Sequence, residues 1–337
     1  MKENMLNRVP LKIYRDLRWL KGEKQCYFDI RSKFSKEYAD IWFSAEKAIY
    51  KYGKSEETYK AINARDKYVM NYIEDSCRDV IEKYKNAELQ TVSANQSDKK
   101  IWVLWWTGEE SAPDIVKACV KSIRKNAGNH EVVFLDKDNY EKYVNLPKHI
   151  IEKHDSKQMS HAAFSDILRN ALLAKHGGAW IDSTVFVSKP LPEFLFESPF
   201  YTAKSVDLSA FYFSHSRWTG YFLCGETNFP LFSFTRDMLI EYWEKNDFII
   251  DYLLMDYVFD IACKTIPSVK AVMEKVPDNN LLRGRLMAHI NEPYSDELFS
   301  ELQNGETFIS KLSWRYGNPV EKTKDGKLTN YGYLLKL

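Results

Sequence analysis

The 337-residue chain reads as an α/β protein, with a helical N-terminal segment ahead of a parallel sheet joined by crossover helices. Three features carry this reading. Apolar residues recur three and four apart, among charges, through "FSKEYADIWFSAEKAIYKYG" and "TYKAINARDKYVMNYIEDSCRDVIEKYK", with no strand-like run between them. From Ile101 the pattern changes to strand, helix, strand, helix. A further helix then runs through two glycines into another apolar run, "SDILRNALLAKHGGAWIDSTVFV".

Taken in order, the polar stretch "TVSANQSDKK" separates a helical subdomain, residues 1–95, from an α/β domain, residues 96–337. "IWVLWWTG" is a short strand closed by Gly108, and "PDIVKACVKSIRKNAG" is a helix with Pro113 near its start and Gly128 at its end. "EVVFLD" is a second buried strand, followed by a helical stretch over 139–154. In such sheets ligands lie beyond the carboxyl ends of the strands, which here are residues 107–111 and 136–138. The next helix, about 160–176, is stopped by Gly177 or Gly178 in a left-handed cap. Its residues Phe164, Ile167, Leu168 and Ala171 share an apolar face, while Ser165, Asp166 and Arg169 share an arc of about 100° on the other side. After Pro190 and Pro192 come short strand-like runs, "PFYTAKS" and "WTGYFLCGE", a long helical region over 228–264, and an irregular C-terminal part.

Composition excludes several classes of function. Basic and acidic side chains number 48 and 47, so no global charge bias points to nucleic acid. The five cysteines are scattered, odd in number and without C-x-x-C spacing, which argues against a disulfide framework or a zinc site and fits a reducing cytoplasm. No apolar run has the length of a signal peptide core or a membrane span. The first 24 residues carry seven Lys/Arg against three Asp/Glu, interleaved with Leu, Ile, Tyr and Trp. That stretch suits a helix packed on the main domain with a solvated basic face, or peripheral contact with an anionic membrane. P-loop, dinucleotide and zincin motifs are missing, and the seven histidines show no metal-ligand spacing.

The chemistry centres on Asp182. A carboxylate within an apolar strand costs several kcal/mol unless it is compensated. Asp182, Ser183 and Thr184 form an oxygen-rich cluster of the type that holds Mg²⁺ or Mn²⁺ with a phosphate; equally, an Asp here can bond a turn at a strand end. The glycines before it offer a backbone that a bulky ligand can approach closely. Asp166 and Arg169 can act on a ligand or form a plain i,i+3 surface pair. Trp105 and Trp106 can stack on a nucleobase, but adjacent strand residues face opposite ways, so only one of them can do so.

In order, "IWVLWWTG", "PDIVKACVKSIRKN", "SDILRNALLAKHGGAWIDSTV" and "ISKLSW" resemble the capsular polysaccharide synthesis family of glycosyltransferases, akin to sugar transferases with a DXD motif of the GT32-like type. The similarity covers roughly residues 100–316 and is most specific over 165–185. It implies a GT-A fold, a nucleotide-sugar donor, foremost a UDP-sugar, and retaining transfer. Trp105 or Trp106 would match the aromatic that stacks on uracil. Ser165, Asp166 and Arg169 match the element that grips ribose and sugar hydroxyls, with Gly178 following, and Asp182 matches the first aspartate of D-x-D, which meets the diphosphate through Mn²⁺ or Mg²⁺. The chain departs from the pattern at Thr184, a hydroxyl in place of the second carboxylate, and at Ser310, where relatives often have His. Lys311 would neutralise the leaving diphosphate, and the loop from Ser310 to Trp314 would close as a lid.

For the acceptor side, "IDYLLMDY" offers Asp251 and Asp256, about 140° apart on a helix, of which Asp256 is preferred. The function expected is sugar transfer to a growing surface glycan, lipid-linked, on the cytoplasmic side of the membrane. Two alternatives are a non-catalytic binder of nucleotide sugars or glycans, suggested by Thr184, and a toxin-like enzyme that glycosylates protein.

Overall fold

A computed structural model of the chain describes residues 11–87, 99–227, 229–315 and 318–337. The first ten residues of the basic N-terminal segment, most of "TVSANQSDKK" and Tyr316 lie outside them. The chain forms two compact units, Met1–Asp75 with Phe248–Leu254, and Ser76–Asp247 with Met255–Leu337. The division falls earlier than the polar stretch suggested, because the helical run breaks at Cys77 and its second half packs with the later helices.

The first unit holds α1 (Leu11–Lys33), α2 (Lys36–Tyr52) and most of α3 (Glu56–Ser76). The Ser35 hydroxyl caps α2 by accepting from the Tyr38 backbone N–H, and Gly53 ends that helix. Tyr38 is fully buried, stacks on Tyr68 with ring centroids 4.8 Å apart, and donates its hydroxyl to the Ile250 carbonyl at 2.8 Å. Arg65 is buried against Asp66 at 3.1 Å and Glu46 at 3.4 Å.

The second unit is an α/β fold around one five-stranded sheet. In chain order come α4 (Arg78–Tyr84), β1 (Ile101–Leu104), α5 (Asp114–Lys125), β2 (Val132–Leu135), α6 (Lys148–Asp155), α7 (His161–His176), β3 (Gly178–Ile181), β4 (Val185–Val187), α8 (Phe194–Glu197), β5 (Phe200–Thr202) and β6 (Phe222–Gly225). They are followed by α9 (Pro230–Lys245), α10 (Leu254–Thr265), α11 (Pro267–Lys275), α12 (Arg285–Ala288), α13 (Asp296–Asn304), β7 (Ile309–Lys311) and α14 (Asn330–Leu334). The sheet order is β2-β1-β3-β6-β5. β1 runs parallel to both β2 and β3, as the strand-helix alternation requires, while β6 and β5 complete the sheet antiparallel. This parallel core with crossover helices is Rossmann-like.

Three expectations about elements change. The stretch 139–154 is a single 3₁₀ turn, Tyr140–Lys142, and then α6, because Pro147 cannot continue a helix from residue 146. The long helical region is interrupted between α9 and α10, and residues 248–254, the connection and the first residue of α10, belong to the first unit. Asp251 therefore precedes α10 instead of sharing a helix with Asp256, and its carboxylate accepts from the Leu253 N–H at 2.8 Å. The C-terminal part, read as irregular, contains β7 and four short helices.

"AWIDSTVFV" also divides. β3 ends at Ile181, residues 182–184 turn, and β4 pairs antiparallel with β7 in a separate two-stranded sheet. The Val185 N–H donates to the Asp182 carbonyl at 2.9 Å, which closes the turn. Asp182 thus stands at the carboxyl end of a strand, where its side chain can reach solvent.

Candidate functional site

The parallel strands bring three chain segments to one edge of the sheet. Leu104 pairs with Leu135, and Trp102 with Trp180, so Trp105, Asp136 and Asp182 all follow the last residues of their strands on the same edge. On to this edge the β4–β7 pairing delivers Lys311, in register with Val185.

Lys311 donates to Asp182 Oδ2 at 2.9 Å and to Thr184 Oγ1 at 2.7 Å. Its strand is fixed on both flanks, since the Lys311 N–H donates to the Arg283 carbonyl and the Leu312 N–H to the Thr184 carbonyl. The other oxygen of Asp182 accepts from the Trp180 indole N–H at 2.9 Å and lies 3.8 Å from Arg169. Arg169 comes from the middle of α7, where its side chain is 9 % exposed. Its guanidinium donates to the Ser165 hydroxyl at 3.0 Å and to the Gly220 carbonyl, lies 3.3 Å from Asp166, and stacks on the Trp180 ring at 5.1 Å. Helical spacing explains why Ser165, Asp166 and Arg169 converge; the antiparallel β3–β6 pairing explains why Gly220 meets them. A Cβ at Gly220 would lie 2.8 Å from the Arg169 guanidinium and 2.6 Å from the Met255 methyl.

The two carboxylates of this cluster are driven apart electrostatically. Burial pushes the Asp182 carboxyl up, but Lys311, Arg169 and the hydrogen bonds from Lys311 and Trp180 outweigh it and hold Asp182 below the ordinary carboxylate range. Burial pushes Asp166 up to about 6; Arg169 opposes the rise and the charge on Asp182 adds to it. The edge therefore holds one carboxylate lowered by its cations, one raised to about 6 by burial, and the cations Lys311 and Arg169.

The two tryptophans lie just past the end of β1 at Leu104, with Trp106 already in a turn, and there they part. Trp105 makes an edge-to-face contact with Trp314 at 5.6 Å, and its indole nitrogen is buried with no hydrogen-bond partner among the described residues. Trp106 turns the other way into a cluster of Tyr140, His154, His161 and Phe164. Trp105 is the one that belongs to the site edge. Trp314 is 43 % exposed and carries the Arg315 guanidinium on its ring.

Two sequence-derived site residues take other roles. Ser310 alternates with Lys311 along β7, so it faces away from Asp182; it is fully buried and its hydroxyl has no partner among the described residues. Gly178 serves strand packing: at φ +90°, a Cβ there would lie 2.2 Å from the Lys100 carbonyl oxygen of the segment entering β1, leaving no room for a ligand. Gly177 caps α7, donating its N–H to the Leu173 carbonyl at 2.9 Å. Asp256, in the first turn of α10, accepts from the Trp218 indole at 2.7 Å; its neighbour Met255 packs at Gly220 and receives an N–H from Asn170 at 3.4 Å. Asp256 thus flanks the cluster through residues 218–220. Trp180, Gly220 and Met255 were not expected. Only Trp180 had a signal, two residues before Asp182 in the same strand.

A divalent cation at Asp182 does not fit these residues. Among the described residues no group of three His, Cys, Asp or Glu could hold a metal ion. Both Asp182 oxygens already receive donors, and Thr184 supplies a hydroxyl that is bonded to Lys311. Each unit of positive charge placed about 4 Å from that ammonium is opposed by about 4 kcal/mol at an effective dielectric near 20.

No helix among the described residues is long and apolar enough to cross a membrane. No curated protein matches the chain. The family model described as capsular polysaccharide synthesis protein matches residues 49–331, which takes in the whole edge from Trp105 to Trp314. The chain belongs to the capsular polysaccharide synthesis protein family, which points to a part in capsule biosynthesis.

Proposed function

We propose that the second unit is a GT-A glycosyltransferase domain that moves a sugar, with retention, from a nucleotide-sugar donor, foremost a UDP-sugar, to a growing capsular glycan carried on a lipid. The observation that carries this reading is the convergence of Asp166, Arg169, Asp182 and Lys311, with Trp105 beside them, at the carboxyl edge of parallel strands. Oxyanions, hydroxyls and a base are the groups these side chains recognise.

In this reading the base stacks on Trp105, and Trp314 closes over it as the loop after β7 moves in. Asp166 and Arg169 hold the hydroxyls of ribose and sugar through a carboxylate and a rigid guanidinium fork. The bond from the sugar's anomeric carbon to the diphosphate breaks, the acceptor oxygen bonds to that carbon, and the acceptor's proton leaves with the diphosphate. Negative charge accumulates on the departing oxygens, and Lys311 and Arg169 are the cations in place to stabilise it. Asp256, held by Trp218, bounds the acceptor side.

The test is release of nucleoside diphosphate from a panel of UDP-, GDP- and CDP-sugars, wild type against Asp182→Asn. One donor should be hydrolysed slowly by the wild type and not by the variant. Equal rates in the two proteins would sink the assignment of Asp182. A second reading, a nucleotide-sugar binder without turnover, draws on the internal neutralisation of Asp182 by Lys311, and predicts binding with no release from any donor, even with glycan acceptor present.

A further inference from the structure

We propose that donor binding and transfer at this edge need no divalent cation, because the Lys311 ammonium takes the bridging place between Asp182 and the donor's diphosphate. The inference rests on the nucleotide-sugar reading above. Bridging a carboxylate to phosphate oxygens is what a metal does in a two-carboxylate site, and it requires ligands that this chain has exchanged. Where a second carboxylate would stand there is Thr184, and its hydroxyl points to Lys311 at 2.7 Å. Asp182 spends one oxygen on Lys311 at 2.9 Å and the other on Trp180 at 2.9 Å, with Arg169 at 3.8 Å.

The ammonium is also positioned to reach a ligand. It has three donors, of which two are engaged by Asp182 and Thr184, and its side chain is 32 % exposed. One N–H is left over from these two bonds on a part-exposed ammonium. The ring of Tyr221 lies 5.0 Å from the ammonium, and the backbone bonds on both flanks of β7 hold the residue before any donor arrives. Little reorganisation is needed for the diphosphate to become the third partner, and Arg169 supplies a second positive charge against it.

Calorimetric titration of UDP, GDP and CDP into the full chain, first in EDTA and then in excess Mn²⁺ or Mg²⁺, tests the proposal. One diphosphate should bind with a Kd that differs by less than about threefold between the two conditions. Lys311→Gln should weaken it by about tenfold or more in both, and Lys311→Arg should recover part of the loss, which a purely structural lysine would not predict. Binding that falls about tenfold in EDTA, or Lys311→Gln binding restored by Mn²⁺, would overturn the proposal while leaving the nucleotide-sugar reading in place. No binding of any nucleotide in either condition would overturn that reading and this inference with it.

Discussion

Two arginines in this chain are buried to the same degree, and they do different things. The side chains of Arg65 and Arg169 are each 9 % exposed. Arg65 sits among helices and bonds Asp66 twice at 3.1 Å, with Glu46 at 3.4 Å. Arg169 gathers Ser165, Gly220, Asp166 and Asp182 from a helix, a strand end and a loop, and its two carboxylates stand off at 3.3 and 3.8 Å. In addition, Arg169 adjoins Asp166, whose carboxyl burial pushes up to about 6. Burial of a charge is therefore a poor guide to function. Convergence of polar and charged groups from separate elements at the end of a strand is a better one.

The sharpest way to break the comparison is at Lys311. Lys311→Ala should lower transfer by about 10²–10³-fold, the usual cost of removing one preorganised donor to a developing oxyanion, and should also lower the unfolding midpoint, because Asp182 loses its nearest cation. Kinetics together with urea unfolding would check both halves. Arg65→Gln should act on stability alone, costing about 3–5 kcal/mol by leaving buried carboxylates uncompensated, with kcat per folded molecule unchanged. Gly178→Ala should cost on the order of 3 kcal/mol, because the new methyl meets the Lys100 carbonyl and the backbone is left-handed there.

Asp166 gives a smaller, pH-resolved effect. Its carboxyl ionises only as pH climbs past about 6, so donor binding should strengthen from pH 5 to 7, and Asp166→Asn should flatten that profile. The stability linkage has a definite sign. Because the folded pKa lies above the ordinary 3.8, the stability that Asp166 contributes is fully present below 3.8 and is lost as pH rises to about 6. Asp182, held low, acts in reverse: its contribution is present above 3.8 and is lost on acidification. The smallest effect should come from Tyr38→Phe, which removes the donor to the Ile250 carbonyl; it should cost about 1–3 kcal/mol in urea unfolding and leave donor hydrolysis untouched.

Much of this site could be read in the sequence because it depends on short-range geometry. Helical spacing alone brings Ser165, Asp166 and Arg169 together; Trp105 and Trp106 part in the turn just after β1, so strand alternation predicts the outcome without being its cause. Alternation also separates Ser310 from Lys311, but only once β7 is known to be a strand with one buried face, and "ISKLSW" is too short to reveal that. The break after Ile181 was hidden for a related reason: "AWIDSTVFV" is apolar on both sides of Asp182, and only the change of partner, from β6 to β7, shows that two strands are involved. At Gly178 the sequence signals the need for a missing Cβ without naming what approaches it, which is the Lys100 backbone and not a ligand. Gly220 and Met255 reach Arg169 through tertiary pairing, which leaves no periodic trace.

The most direct test of the central claim, that the edge formed by β1, β3 and β7 is the donor site, is hydrogen exchange with and without a saturating nucleotide sugar. Protection is expected at residues 104–106, 165–170, 180–184 and 310–314, with 36–76 unchanged. Protection confined to other segments, with those four unaffected while the nucleotide is demonstrably bound, would contradict it.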